Sequence, residues 1–403
     1  MKNYKLTLNA CYLGTVSQTV VINLTAILFT ALGEQFNLSY TQLGALVFIN
    51  FITQVAVALI FGAVVDRYGF RRFIVGAHIA AAVGLGWFAA TPLLPFPPYA
   101  MLVMGTFIFA VAGGFFELLI SPIVNSIPTI PVDKKSSAMS IVHAFFCFGH
   151  VAVALFTTLL LFVFGREAWP IATLFWLLIP LGNSVLFAIC PLAPPIPQKR
   201  QSPARGIIRQ PLFILLAFTI AFSGASEIAF SQWISTFLEQ IVELPKVVGD
   251  IAGVGLFATM MGISRIGYGI LRQRGTPWLP SQSRLMLMGS ALAILSYIMM
   301  AGAFHPALGL LACAICGLGV GLLWPGVLSL SVKTYPMAGT WMFAIMASAG
   351  NIGSAAGPSV FGVIADHLSL RAGYLLMAVL PLSALVCIMM FRRMTARGSG
   401  GVI

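Results

Sequence analysis

Apolar residues in this chain come in long unbroken runs, not in the strict alternation of a half-buried strand. Runs long enough to cross a bilayer, roughly 17–25 residues each, recur from end to end. They lie at 8–32, 41–65, 73–92, 99–127, 138–163, 169–190, 211–238, 247–271, 284–304, 306–330, 337–364 and 370–391. The pattern predicts an all-α polytopic membrane protein with twelve transmembrane helices and no room for a soluble domain. Periodicity is lost between residues 191 and 210, PLAPPIPQKRQSPARGIIRQ, which is rich in proline and base and reads as a cytoplasmic linker. The expected organisation is a six-helix bundle over residues 1–190, the linker over 191–210, and a second six-helix bundle over 211–403.

The two halves resemble each other. Ser17, Gln18 and Asn23 in the first span are matched by Ser226, Glu227 and Gln232 in the seventh at similar spacing. Gly149-His150 in the fifth span lies where the eleventh has Gly350-Asn351. Gly113-Gly114 before Glu117 and Pro122 in the fourth is echoed by Gly319 and Gly321 before Trp324 and Pro325 in the tenth. Matches in the same order with nearly constant offset indicate duplicated halves, the internal repeat from which many secondary transporters are built.

Composition agrees with the runs: 59% of the 403 residues are hydrophobic and 8% are charged, against about 25% charged in a soluble domain. Of the 22 Lys and Arg, only Arg166, Lys246 and Arg371 fall in loops opposite the N-terminus, and Arg265 falls within a span. The positive-inside rule then places both termini in the cytoplasm of a multi-pass protein of the inner (plasma) membrane. The +12 net charge reflects this topology and attraction to anionic lipid heads. It does not describe a nucleic-acid surface, which would need a basic face on a soluble fold. The N-terminal stretch MKNYKLTLNACYLGT reads as the start of a retained first helix rather than a cleaved signal. Cys313 and Cys316 form a C-x-x-C pair, which on a membrane helix reads as small packing residues. His143 and His150 are too far apart along a helix to form a metal pair alone, so no metal is expected.

Glu117 and Glu227 are the acids placed well within apolar runs; the other eight fall in loops or near helix ends. An ionisable residue within a span is a functional candidate, since leaving it charged in hydrocarbon costs at least ~2.5–3.5 kcal/mol. Desolvation favours the protonated form of such a carboxyl, so either residue can take up and release a proton, or be a protonated structural group. Gln18, Asn23, Gln232, Asn351, His143 and His150 both donate and accept hydrogen bonds, which suits a hydroxyl-rich cargo. Trp233 and Trp324 offer faces for stacking on a sugar ring, or serve packing. Asn50 and Gln54, one turn apart, line a cavity or join helices.

The loop after the second span carries Gly62-x-x-x-Asp66-Arg67-x-Gly69-x-Arg71-Arg72, which resembles the signature of the major facilitator superfamily at this location. Physically, Gly62 and Gly69 permit close helix approach and a tight turn, and Asp66 can pair with cations or a helix N-terminus to hold one state shut. Within that superfamily, the fourth and fifth spans look like the fucose/proton symporter group. Glu117 in GGFFELLISP matches that group's protonated glutamate, and His143 ahead of Phe148-Gly149 takes the place of its fifth-helix amide. Glu227-x-x-x-x-Gln232-Trp233 is similar to a substrate-site pattern of related sugar carriers. The chain departs from the group in its first span, which holds Gln18 and Asn23 and no aspartate.

The resemblance implies alternating access around a central site, with a proton as the coupling ion and no other cofactor. The expected cargo is a small neutral hydroxyl-rich solute, a monosaccharide or polyol, and the protein is expected to act as a monomer in the bilayer. Glu117 and Glu227 are the expected proton-coupling residues, and Glu227 joins Gln18, Asn23, His143, His150, Gln232, Trp233, Trp324 and Asn351 at the cargo. The alternative is proton-driven efflux of drug-like amphipathic compounds, which the abundant Phe and Met would suit. A polytopic membrane enzyme is disfavoured, since no H-E-x-x-H, G-x-S-x-G or clustered carboxylates occur.

Overall fold

The computed structural model describes residues 4–131, 135–193, 204–274, 276–335 and 340–399, and among these every regular element is helical. The first six spans are Tyr4–Ile27, Tyr40–Tyr68, Phe70–Ala89, Pro98–Ser126, Lys135–Phe164 and Trp169–Ile189. The seventh is Pro211–Gln240, and the eighth runs through Lys246–Val248, Gly249–Val254 and Gly255–Gln273. The ninth is Gln282–Ala301; the tenth comprises Pro306–Val320 and Leu323–Thr334; the eleventh is Thr340–His367; the twelfth comprises Leu370–Met377 and Val379–Ser399. Eleven of these are long and apolar enough to cross a membrane, and the 28-residue eleventh span adds the twelfth at ~1.5 Å rise per residue. The all-α twelve-span class read from the sequence therefore stands.

Local chemistry sets the ends of the helices. The second span opens on a reciprocal cap, in which Ser39 Oγ accepts from Gln42 N at 3.2 Å and Gln42 Oε1 accepts from Ser39 N at 2.9 Å. Gly69 turns the chain into the third span at φ +81°, and Gly165 does so between the fifth and sixth spans at φ +86°, backbone that a side chain would strain. The tenth span, expected as one helix, is interrupted at Gly321-Leu322. Pro325 supplies the reason: it has no N–H to return to the carbonyl of Gly321, and its ring crowds that carbonyl.

The helices form two compact units, Met1–Pro197 with Pro245–Ile251, and Gln198–Leu244 with Ala252–Ile403. The division falls within the sequence-derived linker, of which residues 194–203 lie outside the described residues. In the first unit the third and fourth spans approach through reciprocal glycines. A Cβ on Gly84 would lie 2.5 Å from Phe109 N, and one on Gly105 would lie 2.9 Å from Phe88 Cβ. The second unit repeats the device between the ninth and tenth spans, where a Cβ on Gly289 would lie 2.3 Å from Gly319 O and one on Gly319 2.6 Å from Gly289 O. The seventh and eleventh spans are closer still, since a Cβ on Gly353 would lie 1.9 Å from Ala221 O. Between helices in lipid, dispersion at such close approach takes the part that water exclusion plays elsewhere. At Gly62 no close approach is made among the described residues: a Cβ there would meet none of their atoms within 4 Å, and Leu59 and Ile60 in the same turn are exposed.

The segment Pro245–Ile251 is held to the first unit by charge. Asp250 Oδ2 lies 3.1 Å from Lys246 Nζ one turn earlier, with side-chain exposures of 0% and 8%, and accepts from Thr158 Oγ1 of the fifth span. Asp250 occupies a π-helical stretch, Gly249–Val254, a distortion that recurs at functional positions. The sequence places Asp250 near a helix end, and the structure buries it completely.

Two outcomes follow for stability in detergent, read as the unfolding midpoint by tryptophan fluorescence. Gly353→Ala forces the seventh and eleventh spans apart and costs about 1–3 kcal/mol, whereas Gly76→Ala, whose Cβ meets open space, leaves the midpoint unchanged. Asp250→Asn or Lys246→Met alone strands a buried charge, at a cost of about 3–5 kcal/mol, and the double substitution recovers most of that loss.

Candidate functional site

In the first unit the sequence-derived residues gather on the first, fourth and fifth spans. Glu117 is half-buried midway along the fourth. The paired glycines before it let that helix press on the second, where a Cβ on Gly114 would lie 2.7 Å from Val57 Cβ and one on Gly113 3.0 Å from Gln54 Cδ. One turn beyond Glu117, Ser121 Oγ lies 3.4 Å from His143 Nε2, so Glu117 and His143 share one neighbourhood. His143 is exposed and His150 buried. The face they share on the fifth helix runs from the exposed His143 into the packing at Gly149, where a Cβ would lie 2.8 Å from Thr19 Oγ1. Asn23 is buried, with Nδ2 donating to Thr19 O at 3.3 Å, and Gln18 is half-buried. Asn50 and Gln54 join helices: Asn50 Nδ2 donates to Val21 O at 2.6 Å, and Gln54 Nε2 to Asn50 Oδ1 at 2.8 Å.

Within the glycine-arginine signature, Arg71 has a definite task. Its guanidinium donates to Phe187 O at 2.8 Å, to Cys190 O at 2.7 Å and to Ala188 O, satisfying the orphan carbonyls at the end of the sixth span and meeting the negative end of its dipole. Arg72 is exposed. Asp66 and Arg67 lie in the last turn of the second helix, and their side chains fall outside the described residues. A buried imidazole that the sequence reading passed over, His78, receives Asn183 Nδ2 at its Nε2 (2.8 Å) while its Nδ1 donates to Ile74 O (2.7 Å). The same Asn183 nitrogen reaches Ala10 O at 3.0 Å, so one amide ties the first, third and sixth spans.

In the second unit the seventh span carries Glu227 opposite Arg265 of the eighth. Arg265 Nη2 reaches Oε2 at 3.2 Å and Oε1 at 3.4 Å, with side-chain exposures of 23% for the arginine and 11% for the glutamate. Arg265 Nε donates to Gly321 O at 3.0 Å, the carbonyl that Pro325 leaves without its helical partner. Glycine is required there, since a Cβ on Gly321 would lie 2.9 Å from Ser264 Cβ and 3.0 Å from Met261 O. Gln232 and Asn351 are buried. Trp233 is fully buried, donates to Pro358 O at 3.2 Å and stacks on Phe361 at 5.0 Å, so of the two uses open to it in the sequence it serves packing. Trp324 is half-buried over the eleventh span, where a Cβ on Gly350 would lie 2.3 Å from its ring.

Sequence reasoning missed two charged groups. Arg265 was visible as the basic residue inside a span, but its partner lies 38 positions away, and only the fold brings them together. Asp250 was masked by its place near a helix end; the signal that could have found it was Lys246 one turn before it in an apolar segment. Among the described residues no group of three or more His, Cys, Asp or Glu is placed to hold a metal ion.

Comparison with known proteins agrees with this architecture. Residues 11–342 match the family described as Major Facilitator Superfamily. Two curated relatives, each named multi-drug resistance efflux pump PmrA, come from Streptococcus pneumoniae serotype 4 (strain ATCC BAA-334 / TIGR4) and from strain ATCC BAA-255 / R6. Each is 25% identical over 341 residues, covering 82% of this chain and 80% of the relative. Among solved structures, a bacterial homolog of the human lysosomal transporter Spinster in its inward-facing, unoccupied conformation superposes with a TM-score of 0.77 at 15% identity, covering 98% of both chains. Its occupied form gives 0.75 at 14%, again with 98% of both covered. A POT family transporter in complex with a thioalcohol-conjugated peptide gives 0.76 at 13%, covering 96% of both. At these identities the structures speak for the fold. With the family match spanning most of its length, this chain belongs to the Major Facilitator Superfamily and is a multi-pass membrane transporter.

Proposed function

We propose that this transporter is a proton-coupled symporter of a small hydroxyl-rich solute, a monosaccharide or related polyol, akin to the fucose/proton symporter group. The observation that carries the reading is the Glu227–Arg265 pair, 3.2 Å apart inside membrane-spanning helices. A charge pair at that depth is costly to keep and supplies strong donors and acceptors to a polar cargo, whereas an amphipathic drug gains little from it. Gln232 and Asn351 are buried amides of the same unit. Glu117 serves as the main proton carrier, since it lies one helical turn from Ser121, whose Oγ is 3.4 Å from the exposed His143. Coupling then requires that cargo bind the protonated and deprotonated forms with different affinity. The basic residues on the side of the N-terminus support a plasma-membrane orientation with both termini in the cytoplasm.

Efflux of drug-like compounds is the second reading, favoured by the name of the two pneumococcal relatives. Counterflow in proteoliposomes with labelled sugars and polyols, with and without a pH gradient, separates the two. Symport gives sugar exchange and gradient-driven accumulation, and Glu117→Gln abolishes accumulation while leaving exchange. Extrusion of hydrophobic dyes with no sugar exchange would establish the efflux reading instead.

A further inference from the structure

Arg265 is held in a way that suits a change of partner. The edge of a guanidinium formed by Nε and Nη2 is a fork matched to the two oxygens of a carboxylate. Here one tine, Nε, is spent on Gly321 O at 3.0 Å. Glu227 is therefore reached by Nη2 at 3.2 and 3.4 Å, long against the roughly 2.7–2.9 Å of a well-made charge-assisted bond. The arginine is also the more exposed of the two partners, 23% against 11%. Because Gly321 anchors it, the cation stays in place when its counter-ion leaves.

We propose that the cargo carries a carboxylate as well as hydroxyls, and that it binds by replacing Glu227 on Arg265 while Glu227 takes up a proton. This rests on the reading of the protein as a proton-linked symporter of hydroxyl-rich solutes and narrows its cargo to sugar acids. The exchange balances: ionised Glu227 on Arg265, plus a cargo anion and a proton, become protonated Glu227 and the cargo carboxylate on Arg265. Net charge in the site is unchanged. That balance ties cargo binding to the proton on Glu227, because an anion arriving without the proton would leave one negative charge buried without compensation. Among the described residues the hydroxyls packed on the seventh span supply no competing cation: Tyr297 and Tyr374 donate to Ser226 O at 2.8 Å and Phe230 O at 3.0 Å, and the eleventh span packs through Gly350 and Gly353.

The test uses full-length protein in proteoliposomes, with labelled glucuronate and galacturonate as probes beside their parent hexoses. Accumulation of a hexuronate under an inward proton gradient is the expected result. Arg265→Gln and Arg265→Lys each lower it at least about tenfold, the lysine because one compact ammonium cannot hold Gly321 O and the cargo carboxylate together as the planar guanidinium does. Glu227→Gln, a mimic of the protonated state, keeps hexuronate counterflow but loses gradient-driven accumulation. Should the single substitutions fail to fold, the charge-balanced double variant Glu227→Gln/Arg265→Gln keeps the question open to experiment: it is expected to be stable and to lack hexuronate transport, and retained transport would overturn the proposal. Hexose counterflow without competition from hexuronates also overturns it, while leaving the symport reading intact. Exchange of neither class, with dye extrusion, removes both.

Discussion

A charge within a membrane-spanning helix has to find its compensation inside the protein, and the arrangement of this chain follows from how each such charge is met. Arg265 has Glu227 and a main-chain carbonyl, Asp250 has Lys246 and a threonine hydroxyl, and Arg71 takes the open end of a helix. In each case the charged group joins elements that are distant in sequence. The polar groups that are expensive to bury are therefore also the ones that fix which helix lies against which.

The same economy governs packing. Where water drives association, large side chains do the work; between lipid-bathed helices, contact area comes from bringing backbones together. The reciprocal glycines at Gly84 and Gly105 in one unit, and at Gly289 and Gly319 in the other, are two copies of one solution. Duplication thus preserved a contact geometry while the acidic residues within the spans diverged. Glu117 has no acidic counterpart in the tenth span, and Glu227 none in the first.

Much of this was legible before any coordinates. Twelve runs of apolar sequence, the repeat and the turn at Gly69 could be read because each depends on local composition or on one residue's backbone freedom. What escaped depends on pairing across sequence distance. Arg265 was a lone base within a span until the fold supplied Glu227, and Asp250 was one of several acids near helix ends until the fold set Thr158 against it. Trp233 could be read as a sugar platform or as packing, since an indole suits either; its neighbours Phe361 and Pro358 come from a span more than a hundred residues later. Gly62 misled in the opposite direction, because glycine permits close approach without enforcing it.

The interruption of the tenth span has a further consequence. Pro325 acts at a distance from its own side chain: the carbonyl it leaves without a helical partner is the one that receives Arg265 Nε, so a backbone interruption helps to set where a guanidinium sits. Selectivity in such a carrier can therefore drift by neutral-looking changes in backbone punctuation. Two homologues with identical charged residues and a proline displaced by one position would be expected to hold the same cation at different angles, and so to prefer different solutes.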